Sequence, residues 1–361
     1  AAHKNKPIMG IGALTSPVIG HALRDNWIGW TQEAFLNKLA RGRISGKEVL
    51  TYLYSIIDNS IAAIKTDDLV DDAQVLKNPT FQDCLKIENV HFSEEEKRKA
   101  QIKKDREGYV KKADPNNMSD EQISEHSVSP LFKSKRARHL SKLLNARLYL
   151  NSISGDLDSQ SIARELFLNS DGKTIVNYLL GEVRVIGVSS RIADLSTCGA
   201  IAPYNHLLGG KLAALAVASS QIQDTYQKRY GESASEISSF VKGEPVFRSV
   251  NLEAITTTSL FGKRSSQYNR IRLKKVDYPE LKSDLVWEPL GETIGQGSFH
   301  FSLQTSKLLA EFQKERKGYQ QVNSVFGEGT SPKLRNIREG LAALGFNAEM
   351  VVSHEQKRVS L

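Results

Sequence analysis

The sequence predicts an α/β protein, a mixed-sheet core interrupted by a mostly helical insertion. Apolar, β-branched runs near both ends of the chain alternate with helix patterns, which argues for strands packed against helices. The stretch between them is charged, helical in period and punctuated by polar linkers. With 361 residues, the chain is long enough for two domains at ~150 residues each. Texture divides it at 1–30 (first part of the α/β core), 31–185 (helical, charged insertion) and 186–361 (main part of the core).

In the first segment, Ile8-Met9-Gly10-Ile11-Gly12-Ala13-Leu14 reads as a buried strand, with a turn at Ser16-Pro17. In the second, Ser45-Gly46-Lys47-Glu48 is a capping box opening a helix with Val49, Leu50, Leu53, Ile56 and Ile57 on one face. Ser93 and Glu96 repeat that device before a run from Glu94 to Lys112 with eight basic and five acidic residues, the pattern of a solvated helix. Pro115-Asn116-Asn117 breaks the chain. A helix starting near Leu131 carries Lys133, Lys135, Arg136, Arg138 and Lys142 beside a core stripe of Leu140, Leu143 and Leu144. In the third segment, Cys198-Gly199-Ala200-Ile201-Ala202 reads as a buried strand ending at Pro203. Gly209-Gly210 then opens an apolar helix through Ala218, and Gly231 caps the next helix in the left-handed region. Leu252 to Thr258 is a strand rich in β-branched residues. Ser331-Pro332 starts a last helix, buried through Ile337, Leu341 and Leu344 and ended by Gly345.

Composition excludes several classes. Hydrophobic residues make up 40% and charged residues 25%, as in packed globular proteins. No apolar run reaches the eighteen or so residues of a membrane span. Ala1 to Pro7 lead into no long apolar stretch, so a secretory signal is not expected. The opening Ala1 in place of Met leaves room for residues ahead of it. Cys84 and Cys198 are too few and too far apart for a disulfide scaffold or a CxxC site, and a reduced, cytoplasmic compartment is expected. The 49 basic and 41 acidic residues give a net +8 and a pI near 9.2. That balance permits a polyanionic partner such as DNA or RNA without demanding one.

Three constellations carry possible chemistry. Gly209-Gly210-Lys211 resembles half a phosphate loop, but Asn205 and Leu212 occupy places where a Walker A motif needs Gly and Ser or Thr. A strand entering a Gly-Gly helix start still exposes amides that can hold a pyrophosphate, making Asn205, Gly209, Gly210 and Lys211 candidate phosphate or cofactor residues. Close helix-on-strand packing explains the same glycines equally well. Lys263 to Lys275 holds six basic residues and no acidic one, so Lys263, Arg264, Arg270, Arg272 and Lys274 are candidate nucleic-acid contacts. The alternative is an exposed basic turn. Within that run, cationic neighbours are expected to favour the phenolate of Tyr268. Tyr268, Asn269 and His206 form the candidate catalytic group, with Tyr268 a proton donor, a nucleophile, a stacking ring or simply a half-buried tyrosine. The eight histidines include no HExxH pair and no GxSxG elbow is present, so no metal site or serine triad is expected.

Several strings together carry a family resemblance. They are Gly10-Ile11-Gly12-Ala13-Leu14-Thr15-Ser16-Pro17 with Arg24-Asp25-Asn26-Trp27-Ile28-Gly29-Trp30, and Cys198 through Leu212. Thr256 through Gly262 with Ser265 through Arg270, Gly291 through Phe301, and Lys333 through Arg338 with Leu344-Gly345-Phe346 complete the set. They resemble the DruA family of type I Druantia antiphage defence, whose domain also occurs beside bacterial transposases. The likeness covers residues 8–30 and about 186–361 and leaves out the helical stretch between. It implies a component of bacterial antiphage defence acting with other proteins of the system, including a large helicase-like protein. It supplies no agreed chemistry and no cofactor. A weaker likeness is to the GNAT-type N-acyltransferase fold, in which a strand runs into a Gly-rich helix, then a strand, then a polar segment carrying Tyr. That likeness implies coenzyme A pyrophosphate held at Gly209-Gly210 and a proton given to the departing thiolate by Tyr268. Lys211, however, stands where the acyltransferase loop has Gly or Ala, and a lysine there crowds the close backbone approach. The alternatives to a nucleic-acid-binding defence component are therefore an enzyme using an acyl-coenzyme A donor and a non-catalytic adaptor.

Overall fold

The computed structural model describes all residues except 1–6, 105–112, 154–156, 208, 249, 260–265, 269–270, 282, 299–300, 318–331, 348–352 and 361. After β1 (Gly10–Thr15) the chain forms α1 (Ala22–Ile28), α2 (Gln32–Ala40), α3 (Gly46–Ala62), α4 (Gln74–Lys77), α5 (Phe81–Lys104), α6 (Asp120–Ser127), α7 (Pro130–Ser152), α8 (Ser159–Phe167) and α9 (Ser170–Arg191). It then returns to a sheet with β2 (Ile192–Ala200), followed by α10 (Gly209–Ala216), α11 (Ser220–Gly231), α12 (Glu236–Lys242), β3 (Ala254–Thr256) and β4 (Thr258–Ser259). The rest comprises β5 (Arg272–Leu273), β6 (Leu285–Val286), β7 (Gly291–Ser298), α13 (Leu303–Lys317), α14 (Pro332–Ala343) and β8 (Ser353–Ser360).

The result is a mixed α/β protein, predominantly helical, with small sheets. One sheet has the order β1-β2-β3. β1 runs antiparallel to β2, with Gly10 opposite Ala200 and Thr15 opposite Asp194, while β3 lies parallel to β2. Between Ala13 and Leu14 the register shifts, leaving Ser196 as an extra residue on β2, a bulge of the kind that re-aims a strand. The helical stretch is thus spliced between two paired strands. A second sheet has the order β4-β8-β7, and β5 pairs with β6.

The largest apolar core belongs to the helical segment. Leu53 and Ile57 of α3 meet Leu140, Leu143 and Leu144 of α7, Leu166 of α8 and Leu179 of α9. Each fully buried Leu or Ile contributes ~1.5–3 kcal/mol. The Ser45–Glu48 capping box forms as the sequence predicts. Ser93 does not start a helix: it lies inside α5, whose true opening is a reciprocal Thr80–Asp83 cap, with Thr80 N donating to Asp83 at 2.9 Å and Asp83 N to Thr80 at 3.3 Å. Arg136, grouped by sequence with the other cations of α7, is fully buried. Its guanidinium donates to both Asp68 oxygens at 2.5 and 2.8 Å and to the carbonyls of Lys65 and Ser127. It therefore pins the chain after α3 and the end of α6 onto α7.

Contacts also join the helical segment to the later part of the chain. Phe240 of α12 packs on Phe132 of α7, ring centroids 5.1 Å apart, and on His126 of α6 at 4.4 Å. Asn116 accepts from Ala234 N at 2.7 Å, and Lys65 N donates to Val241 O at 2.9 Å. α9 runs continuously across the sequence-expected boundary at 185. A side chain at Gly187 would lie 2.4 Å from the Trp30 ring, so glycine is what lets Trp30 seat on α9.

Four further expectations are corrected. β1 is not buried but an edge strand, with Ile8, Met9 and Ile11 exposed. On β2 the buried end is Ile192–Leu195, with only Asp194 half-exposed, while the Cys198–Ala200 end is half-exposed. The strand expected over 252–258 breaks at Thr257, whose buried hydroxyl donates to Leu195 O at 2.9 Å, and its two halves join different sheets. Gly231 closes α11 as a helical residue, and the cap is Glu232 at φ −89° rather than a left-handed glycine.

Candidate functional site

The far end of β2, the start of α10 and a 3-10 turn at Ser266–Tyr268 converge. Gln267 donates through its amide to Cys198 O at 3.0 Å. A side chain at Gly210 would meet Gln267 Oε1 at 2.0 Å. The absent Cβ of Gly210 thus makes room for Gln267, which is the packing account of that glycine. Tyr268 is buried with Leu195, Ala214, Val217 and Ile271, and its ring lies 4.7 Å from that of Trp287. Its hydroxyl has hydrogen-bond partners in Gln267, Thr257 and Cys198. Burial pushes the Tyr268 pKa up from its ordinary value. The phenol is therefore the resting form, and the phenolate expected from nearby cations is not supported. Burial likewise raises the Cys198 thiol.

The remaining candidates are spread around this junction. Asn205 and His206 sit exposed on the 3-10 turn Tyr204–His206 that precedes α10. No hydrogen bond joins His206 to Tyr268 among the described residues. Gly209 begins α10 at φ +59°, and Lys211 is exposed in its first turn. Arg272 and Lys274 are exposed on β5 and the turn after it, with Arg272 Nε 3.8 Å from Asp284. Asn269, Lys263, Arg264 and Arg270 lie outside the described residues. No group of three His, Cys, Asp or Glu side chains able to hold a metal ion occurs among the described residues.

Sequence reasoning missed a second polar cluster, on α1. Arg24 and Asp25 form a buried ion pair at 2.6 Å. Arg24 also donates to the carbonyls of Val18 at 2.8 Å and Ile19 at 2.7 Å, and Arg184 of α9 lies 3.5 Å from Asp25. His21 caps α1, its Nδ1 accepting from Arg24 N at 3.3 Å, while Nε2 lies 3.1 Å from the Ser360 hydroxyl of β8. Because Nδ1 is the acceptor, the neutral ring carries its proton on Nε2 and donates to Ser360. This histidine is arranged to hold the last strand, not to activate a serine. The one legible signal was an adjacent Arg-Asp pair inside an otherwise apolar opening.

This cluster makes stability pH-dependent. Burial, reinforced by the Arg24 charge, lowers the His21 pKa below 6.5. A histidine depressed on folding contributes stability that is full above ~6.5 and lost as pH falls through the folded value. Asp194, hydrogen-bonded by Thr256 at 3.0 Å, has its pKa raised by burial. Its contribution runs the other way, present below ~3.8 and lost as pH rises through the raised value. The urea midpoint of the wild type should therefore drop between pH 7.5 and 5 by more than that of His21→Asn, which keeps a capping side chain without titrating. Equal drops would remove His21 from the account.

The class defined here is a mixed α/β protein in which a helical bundle is spliced into a small sheet and packed on the elements that follow. Residues 184–361 match the family model described as Druantia protein DruA, so that segment is similar to the DruA family. The Druantia protein DruA of Escherichia coli (strain UMEA 4076-1) is 35% identical over 174 residues, covering 47% of this chain and 39% of the relative. The chain thus spans well under half of that relative's length. The front string at 8–30, part of the sequence resemblance, lies outside the matched residues. No solved structure matches the chain. No described helix is long and apolar enough to cross a membrane.

Proposed function

We propose that the chain is a component of bacterial antiphage defence that binds nucleic acid and acts with other proteins of its system, including a large helicase-like protein. The observation that carries this reading is the DruA match over 184–361. Charge supports it: that segment holds 23 basic and 17 acidic residues, so it supplies net +6 of the +8. Phosphate neutralisation by Lys and Arg releases counterions, so binding weakens with salt. Replacing Arg264, Arg270, Arg272 and Lys274 together is expected to lower DNA affinity and flatten the slope of log K against log salt by ~0.7–0.9 per lost contact. Filter binding across a salt series measures it, and an unchanged slope in a folded variant removes this segment from the interface.

A second reading is transfer from an acyl-coenzyme A donor. The observation in its favour is β2 running into the glycine start of α10 beside a parallel β3. Gln267 seated on Gly210 works against it, since it fills space beside the helix start. Titration calorimetry with coenzyme A decides between them, because a nucleic-acid-binding component without that chemistry releases no binding heat.

A further inference from the structure

We propose that the cleft lined by α1, β3 and β6 is a pocket for one unstacked base of a single-stranded nucleic acid. This rests on the nucleic-acid-binding reading above and narrows it to a strand whose bases are free. The cleft encloses ≈ 330 Å³, within the range of small-molecule sites, which are mostly apolar with a few placed polar groups. Here Ile255, Ile271, Leu285 and Val286 supply apolar surface. The side chains of Gln223 and Glu288 also line it, and no described residue hydrogen-bonds to either. Trp27 of α1 lines the cleft yet is 64% exposed, with no described ring or cation packed on it. Trp287, in contrast, lies against Tyr268. A bare indole face at the mouth of a cleft is a platform on which any base can stack.

Charge selects the same ligand. Glu253 is faced by Arg191 at 3.7 Å and Asp284 by Arg272 at 3.8 Å, so the walls come close to neutral. A neutral cleft suits the uncharged ring of a nucleotide and leaves its phosphate outside. Both guanidiniums are more than half exposed and stand beyond hydrogen-bond distance of their carboxylates. Their donors are therefore open to the phosphates on either side of a captured base. Arg272 also belongs to the basic run from Lys263 to Lys275, so the phosphate-binding candidates and the cleft share a residue. Glu288 adds a preference, because a carboxylate accepts from the exocyclic amino group of cytosine, which thymine lacks.

The probes are fluorescein-labelled decamers of deoxycytidine, of thymidine and of abasic sites, which keep every phosphate, read by anisotropy at pH 7.5 and one low salt concentration. Affinity should fall in that order. Trp27→Ala should weaken the deoxycytidine decamer ~5-fold or more, the low end of what a base–aromatic stack contributes, and leave the abasic one unchanged. Trp27→Phe, which keeps a ring, should retain most of the affinity. Glu288→Ala should bring deoxycytidine down to the level of thymidine. Equal affinity for the deoxycytidine and abasic decamers overturns the pocket and leaves nucleic-acid binding standing. So does a Trp27→Ala variant of unchanged circular dichroism that binds deoxycytidine like the wild type, or one that loses the abasic decamer equally. No binding of any decamer removes the nucleic-acid reading and the pocket with it. Equal affinity of the wild type for deoxycytidine and thymidine overturns the role of Glu288.

Discussion

Arg136→Ala is expected to destabilise the protein by about 3–5 kcal/mol, because it leaves a carboxylate uncompensated at a largely dry site. Arg136 is fully buried and spends its fork on Asp68 and two carbonyls. At Asp68, burial works to raise the pKa, yet hydrogen bonding and charge from Arg136, with Lys133 3.5 Å away, together hold it below the ordinary value. Without Arg136 the burial remains and most of the compensation is gone. The Lys65 and Ser127 carbonyls lose their donor as well. Guanidinium denaturation monitored at the helix signal should show the midpoint fall steeply. Replacing both partners, as Arg136→Met with Asp68→Ala, should recover much of the loss, since an apolar substitute removes the stranded charge. A double variant no better than Arg136→Ala would mean that shape, not charge, sets the penalty.

What the sequence could show follows from how local each determinant is. The Ser45–Glu48 box was legible because all its hydrogen bonds close within four residues. The same rule misplaced a start at Ser93, since the actual cap at Thr80 uses Asp83 in the place where the rule seeks Glu or Gln. Arg136 was unreadable: its partner Asp68 lies 68 residues away, and the residue type alone says exposed. β8, with the sequence Ser-His-Glu-Gln-Lys-Arg-Val-Ser, has no apolar alternation, yet it is the central strand of its sheet. Main-chain pairing with β7 over eight positions defines it, and main-chain pairing leaves no mark on hydropathy. In the candidate site, Gly209-Gly210 was visible as a helix start. Whether those glycines admit a ligand or Gln267 depended on a segment more than fifty residues further on.

Tyr268 should behave as a packing residue with a hydrogen-bonded hydroxyl, and two substitutions separate that from chemistry at the oxygen. Tyr268→Ala removes a ring that is 7% exposed from the small cluster joining β2, α10 and Trp287. Such truncations cost about 3–5 kcal/mol, and here the loss strips the turn that seats Gln267 on Gly210. Tyr268→Phe keeps the ring against Trp287 and deletes only the bonds to Thr257, Cys198 and Gln267. That is worth about 1 kcal/mol, more if a buried partner is left unpaired. Since burial holds the phenol in its protonated form, a nucleophilic role would need a base to take the proton, and His206 makes no hydrogen bond to it. The expected result is a thermal midpoint lowered strongly by Tyr268→Ala and modestly by Tyr268→Phe. In a test of the proposed defence role, protection against phage should survive Tyr268→Phe and fail with Tyr268→Ala. Should Tyr268→Phe instead abolish protection while melting near the wild type and binding DNA equally, the hydroxyl itself takes part in the reaction, as proton donor rather than as nucleophile.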